Sequence, residues 1–263
     1  MNGEDTSAPA GGVMLRLEHV FKEFQLDGKR QRVLEDIHFA VRRGEFICIV
    51  GRSGCGKSTL LKIVGGFLKP TSGRVFLNGS PVEKPGPDRS FVFQEDALFP
   101  WLTVEENIAF GVQRPGKRRG AEQGEVERFL FLVGLADFRN YLPREISGGM
   151  KQRVALARVL ILKPRVLLMD EPFGALDAHT REEMRDLLLG LWEQLGQTIL
   201  FVTHDVSEAV LLADRVLVMD KGSGRIRREM QVPIARPRNN YEGQVPQFAR
   251  TLNKIIKEKR EGG

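Results

Sequence analysis

Phe46-Ile47-Cys48-Ile49-Val50-Gly51-Arg52-Ser53-Gly54-Cys55-Gly56-Lys57-Ser58-Thr59 runs an apolar stretch into a glycine-rich turn that ends in Lys-Ser-Thr. The apolar part, Phe46–Val50, predicts a buried parallel strand. Beyond the turn, Leu60, Val64 and Phe67 recur at helical spacing, so the turn opens a helix. Residues 51–59 therefore fit the phosphate-loop pattern G-x-x-x-x-G-K-[ST] in the strand–turn–helix setting it requires. Gly51, Gly54 and Gly56 let the backbone close around phosphate oxygens, and the helix start through Ser53, Cys55 and Thr59 offers unpaired N–H groups. Lys57 is placed to reach the β- and γ-phosphates, and the Ser58 hydroxyl to ligate Mg²⁺.

The rest of the chain narrows the class. Its 263 residues are 41% apolar, enough for a sizeable core, and no run of 18 apolar residues predicts a membrane span. Residues 1–12 are small and polar with Glu4 and Asp5, which predicts a flexible tail rather than a signal peptide. Cys48 and Cys55, one in the strand and one in the loop, make no disulfide scaffold and suit a reducing cytoplasm. The net charge is +6, with basic runs around Arg114–Arg119 and Lys254–Arg260. Neither run interleaves aromatics, so both read as solvated faces and no nucleic-acid partner is expected.

Along the chain, Met14–Val20 and Val33–Val41 alternate as half-buried strands, with Leu34 offset and a turn at Asp27-Gly28. Pro70–Gly73 ends the loop helix, and Arg74–Leu77 with Asn78-Gly79 reads as a strand entering a hairpin. Ser90–Gln94, Arg165–Asp170, Thr198–His204 and Arg215–Met219 are further buried strands. Helical patterns begin at Thr103, with Val104, Ile108 and Phe110 near one face, and at Glu125 after a loop over 113–124. Thr180–Leu195 forms another helix, Asp205–Glu208 reads as a capping box, and a basic helix closes the chain after Pro233.

Chemistry gathers at strand ends. Asp170 and Glu171 close an apolar strand, and ligands bind outside the carboxyl ends of parallel strands. Asp170 is a Mg²⁺ ligand candidate and Glu171 the general base for water, although an acidic pair before Pro172 can also be a plain turn. His204 ends its strand where it could meet the γ-phosphate, or it serves only as a polar exit residue. Gln94 could ligate Mg²⁺ or orient water, and by itself the plain structural role is favoured. Ser147-Gly148-Gly149-Met150-Lys151-Gln152 caps a second helix without side-chain bulk, a second potential anion site. One nucleotide needs one phosphate loop, so the second cradle points to use by a neighbouring copy.

Together, Gly51–Thr59, Gln94, Ser147–Gln152, Val166–Glu171, Gly174–Asp177 and His204 resemble, in order, the six motifs of the nucleotide-binding subunits of ABC transporters. The resemblance implies a P-loop NTPase α/β fold: a mostly parallel core sheet, an N-terminal antiparallel β layer and an inserted helical subdomain over about 96–162. It places the ATPase domain at 13–232 and a C-terminal extension with a basic helix at 233–263. It implies ATP and Mg²⁺, and a head-to-tail pair in which each ATP lies between Lys57 of one copy and Ser147, Gly148, Gly149 and Gln152 of the other. Asp177 then couples the two sites, and Phe24 takes the place of the aromatic that stacks on adenine, where Tyr is often found. Cys55 is expected to be alkylated more slowly when ATP covers the loop.

Leu98-Phe99-Pro100-Trp101-Leu102-Thr103-Val104 is similar to a stretch of the nitrate, sulfonate, taurine and bicarbonate importer ATPases. That implies integral permease subunits gripping Gln94–Trp101, with Leu98, Phe99 and Trp101 forming the groove, and indirectly a solute-binding protein. It also implies a peripheral position on the cytoplasmic face of the inner membrane. The rivals are an exporter subunit, a non-transport ABC ATPase and a non-catalytic nucleotide-binding scaffold. Intact Lys57 and Glu171 speak against the last.

Overall fold

Alternation of apolar and polar residues shapes the first layer. In this computed structural model, which describes residues 12–26, 28–93, 98–112, 120–238 and 243–258, β1 (Val13–Leu26) and β2 (Lys29–Arg42) form a long antiparallel pair. Bulges interrupt its register, and this is why Leu34 rather than Val33 joins Ile37, Phe39 and Val41 in the core. All but Gly12 of the expected tail over 1–12, together with Gln94 and residues 113–119, lies outside the described residues.

β3 (Phe46–Gly51) leads into α1 (Lys57–Val64), and β4 (Ser72–Leu77) with the short β5 (Ser80–Pro81) completes the first sheet in the order β2-β1-β4-β5. The loop helix ends at Val64, capped by Gly65, not at Pro70. Phe67 is consequently not on its face: it is half exposed and packs edge-on against Phe91 at 5.8 Å. β6 (Arg89–Val92) is shorter than expected.

The helices α2 (Val104–Ala109), α3 (Gly120–Leu132) and α4 (Gly148–Leu160) follow, before the chain returns to the sheet in β7 (Val166–Asp170). The third helix thus starts inside the stretch read as a loop, which its several glycines obscured. α5 (Ala178–Leu195), β8 (Thr198–Thr203), α6 (Val206–Leu212), β9 (Arg215–Met219), β10 (Ile226–Gln231) and α7 (Gln244–Lys257) complete the chain.

The second sheet runs β10-β9-β3-β8-β7-β6, parallel except for the antiparallel edge strand β10. Its central strands are buried on both faces, as continuous apolar runs demand. Ile47, Ile49, Leu168, Leu200 and Leu217 face the first sheet, and α1 lies between the two sheets with Leu60, Leu61, Ile63 and Val64 buried. Phe46, Cys48, Val50, Leu167, Phe201 and Val216 face the opposite way, toward α4, α5 and α6. Arg215, nearly buried on β9, ties the layers by donating to the Ala40 carbonyl and to Glu45 and Glu229. α7 buries Val245, Ala249 and Leu252. Ahead of it, Arg238 donates to the Val210 and Ala213 carbonyls at the end of α6, where burial lowers its pKa to about 10.

Candidate active site

β3, β7 and β8 lie side by side in parallel, so Gly51, Asp170-Glu171 and Thr203-His204 emerge at one edge of the sheet. Topology gathers them from positions far apart in the chain. Lys57 is buried, and its Nζ donates to the Gly51 carbonyl at 2.9 Å while lying 3.9 Å from Glu171 Oε1. Ser58 Oγ donates to Asp170 Oδ1 at 3.0 Å. Burial raises the Asp170 pKa above the usual carboxylate range, against the pull of the Ser58 hydrogen bond.

The loop itself is closed in by its neighbours. Gly56 has φ +103°, and a Cβ there would come within 2.7 Å of Leu34 Cδ2 and 2.9 Å of the Val33 carbonyl. Glycine is required on both counts. The side chain of Cys55 points into the core between the sheets and is 2% exposed, with burial raising its thiol pKa. Only its backbone is placed for phosphate, and the expected alkylation at Cys55 is corrected: the thiol is shielded by the fold itself. Phe24 is half-buried beneath the Lys22 ammonium, 5.0 Å from its ring centroid. Lys22 pairs with Leu34, the residue that touches Gly56, which sets Phe24 on the strand beside the loop.

Glu171 adopts φ +46°, a left-handed backbone state that costs a non-glycine residue energy and has to be held by its surroundings. Its Oε2 is 2.9 Å from His204 Nδ1, so the strand-end histidine and the carboxylate meet directly. A cavity of about 30 Å³ opens beside them, lined also by Phe173, Arg181, Thr203 and Glu208. Its volume is enough for a water molecule. His19, His38 and His179 are exposed and do not join this group.

Ser147 caps α4, its Oγ accepting from the Met150 N–H at 3.3 Å. Gly148 is open to its surroundings, whereas a Cβ on Gly149 would lie 2.5 Å from Thr180 Cγ2. Gln152 is buried. α4 packs on the face of the sheet opposite α1, so the two glycine-rich helix starts occupy different sides of one chain. Asp177 caps α5, and the Thr180 hydroxyl and N–H hold its carboxyl below the usual range.

The stretch over 98–104 divides. Leu98 turns inward against the core, whereas Trp101 is 71% exposed and Phe99 is half-buried. Phe99 touches Trp101 at 5.7 Å and Phe110 at 4.4 Å, with the Arg158 guanidinium over its ring. Phe110, placed by helical spacing near one face with Val104 and Ile108, is half exposed and belongs to this patch instead. The fully buried Asn107 pins the turn by donating to the carbonyls of Phe99, Leu102 and Thr103 and accepting from the Phe99 N–H.

Comparison with known proteins decides the family, since the family model described as ABC transporter matches residues 34–174. This chain belongs to the ABC transporter family. It is 46% identical over 236 residues to the nitrate import ATP-binding protein NrtD of Synechococcus elongatus, covering 89% of this chain and 86% of that protein. It is also 46% identical over 226 residues to the taurine import ATP-binding protein TauB of Pelagibacter ubique, covering 86% and 84%. Among solved structures, the dimeric post-hydrolysis state of the ATP-binding cassette MJ0796 bound to ADP and Pi superposes with a TM-score of 0.72 at 32% identity. That match covers 84% of this chain and all of that one. The cassette is an ATPase with the expected P-loop α/β fold, and the resemblance to ABC transporter ATPases is borne out. Among the described residues no helix is long and apolar enough to cross a membrane.

Two residues of the site carried no functional weight in the sequence. By sequence Glu208 fits a capping box, but it is 4% exposed and its carboxylate accepts from the Thr203 hydroxyl, while Asp205 alone caps α6. Burial raises its pKa to about 7. Arg181 was one charge among several on a helix. Only burial and loop geometry distinguish them, and neither has a local sequence signal.

Proposed function

We propose that this chain energises an importer for a small anion such as nitrate, taurine or a related sulfonate. The observation that carries the reading is its near-full-length similarity to nitrate and taurine import ATP-binding proteins. ATP binds at Gly51–Thr59, where Lys57 exchanges the Gly51 carbonyl for phosphate oxygens. Ser58 and Asp170 are hard oxygen donors in contact, a set that suits Mg²⁺, with Gln94 as a further ligand. When bound there, Mg²⁺ neutralises charge on the β- and γ-phosphates. Glu171 takes the proton of the attacking water, and His204 holds the carboxylate in line through its 2.9 Å contact.

Two copies assemble head to tail, Ser147 to Gln152 of each covering the ATP of the other, with Asp177 at the interface. The placement of α1 and α4 on opposite faces of the sheet supports this. The exposed Trp101, with Phe99, docks a permease subunit at the cytoplasmic face of the membrane. The permease and a solute-binding protein choose the anion. Deleting the gene and testing growth on nitrate, taurine and alkanesulfonates as sole nitrogen or sulfur sources tests the assignment. Loss on one of them, restored by the wild-type chain but not by Lys57→Ala, is expected, and normal growth on all of them contradicts it.

A further inference from the structure

We propose that Arg181 is a positioning residue for ATP hydrolysis: its guanidinium clips the loop that joins Glu171 to Asp177. The proposal rests on the roles given above to those two residues. The loop is tightly turned, with the Gly174 N–H donating to the Glu171 carbonyl at 3.1 Å and the Leu176 N–H to the Phe173 carbonyl at 3.2 Å. It leaves β7 at a residue with φ +46°, which must be held from outside.

Arg181, on the first turn of α5, supplies that hold. Its Nε donates to the Phe173 carbonyl at 3.3 Å and its Nη2 to the Leu176 carbonyl at 2.6 Å. One planar group therefore fixes both sides of the exposed Gly174-Ala175 tip. Phe173 is anchored in turn, 2% exposed and packed on Phe201 at 5.6 Å between ring centroids. The buried Glu208 lines the same cavity as Arg181.

The neighbouring Thr180 extends the hold in the other direction. Its hydroxyl donates to Asp177 at 2.6 Å, and its methyl forms the wall against which Gly149 sits. The first turn of α5 thus grips the interface aspartate, the glycine that faces a partner's nucleotide and the backbone behind Glu171. A shift of Asp177 or Gly149 on pairing is passed to the Glu171 loop through a fixed fork rather than a slack one. Lysine cannot replace it, because a single ammonium on a flexible stem does not span two divergent carbonyls with fixed geometry.

The test compares steady-state ATPase kinetics of the full chain with those of Arg181→Ala and Arg181→Lys, using Glu171→Gln as reference. For Arg181→Ala, kcat is expected to fall about 10- to 100-fold, the effect of a roughly 1 Å misplacement at a reacting centre. KM for ATP should stay within about twofold, because the phosphate loop is untouched. The melting temperature should stay within about 4 °C. Arg181→Lys should recover little of the loss, and it carries the test if the alanine variant does not fold. Normal kcat in both variants while Glu171→Gln is inactive overturns the clip, as does full rescue by lysine. A matched loss of kcat and melting temperature also overturns it, because that is the mark of a merely structural residue. An active Glu171→Gln instead removes the reading of Glu171 beneath the proposal, and the clip falls with it.

Discussion

At Gly51–Thr59 the chain surrounds its glycine-rich loop with its own parts: Val33 and Leu34 press on Gly56, Cys55 anchors in the core and Lys57 is buried. At Ser147–Gln152 it does the opposite. One hydroxyl caps the helix, Gly148 faces open space, and a Cβ on Gly149 would meet Thr180. The first cradle is walled by its own chain, and its neighbours Asp170, Glu171 and His204 arrive by parallel strand pairing. On the roles proposed above, nucleotide binding is local to the first cradle, whereas turnover depends on what closes over it.

Glu171→Gln sharpens the contrast most. Turnover is expected to drop by about 10² to 10⁴, the range for removing a general base, with ATP binding retained. Normal turnover, measured as phosphate release, breaks the assignment. Ser147→Arg acts on the other cradle alone: it should abolish ATP-driven pairing in size-exclusion chromatography and leave nucleotide affinity of the single chain within about threefold. Pairing that survives the arginine refutes a role across the interface.

Glu208 gives a pH test with a definite sign. Its pKa is raised from 4.5 to about 7 in the fold by burial, with Thr203, Arg181 and Arg185 opposing and Asp205 adding to the rise. Between those values the folded chain holds a proton that the unfolded chain has lost, so stability falls as pH rises through this window and levels off above it. The contribution is up to roughly 3 kcal/mol. Melting curves from pH 5 to 8 should show a shallower decline in Glu208→Gln, and an identical slope rejects the assignment. The smallest effect on the chain itself is expected from Trp101→Ala. Stability should move by no more than about 0.5 kcal/mol, because the side chain is 71% exposed. Membrane attachment in the assembled transporter should weaken by about 2 kcal/mol, as for a truncated aromatic anchor, and unchanged co-fractionation with membranes counts against the groove.

The motifs were legible because each is local: a turn needing small residues, a strand ending in acids, a cap ahead of an apolar face. Where the reading failed, the cause was tertiary. Spacing put Phe67 on the loop helix, but Gly65 ends that helix first. Phe110 keeps helical spacing with Val104 and Ile108, but it is drawn to Phe99 outside the core. Glu208 follows Asp205 as a capping glutamate does, yet it is buried under the Thr203 hydroxyl instead.

Residue order alone was enough to read a phosphate loop, strand-end positions for Asp170, Glu171 and His204, and the resemblance to ABC transporters. Periodicity and backbone requirements are written residue by residue. It takes the packed fold to show that His204 touches Glu171, that Cys55 is sealed inside, that α4 and α1 lie on opposite faces of one sheet and that Arg181 holds the loop behind Glu171. Contacts between residues remote in the chain depend on which strands pair and which faces meet, and no local pattern encodes that.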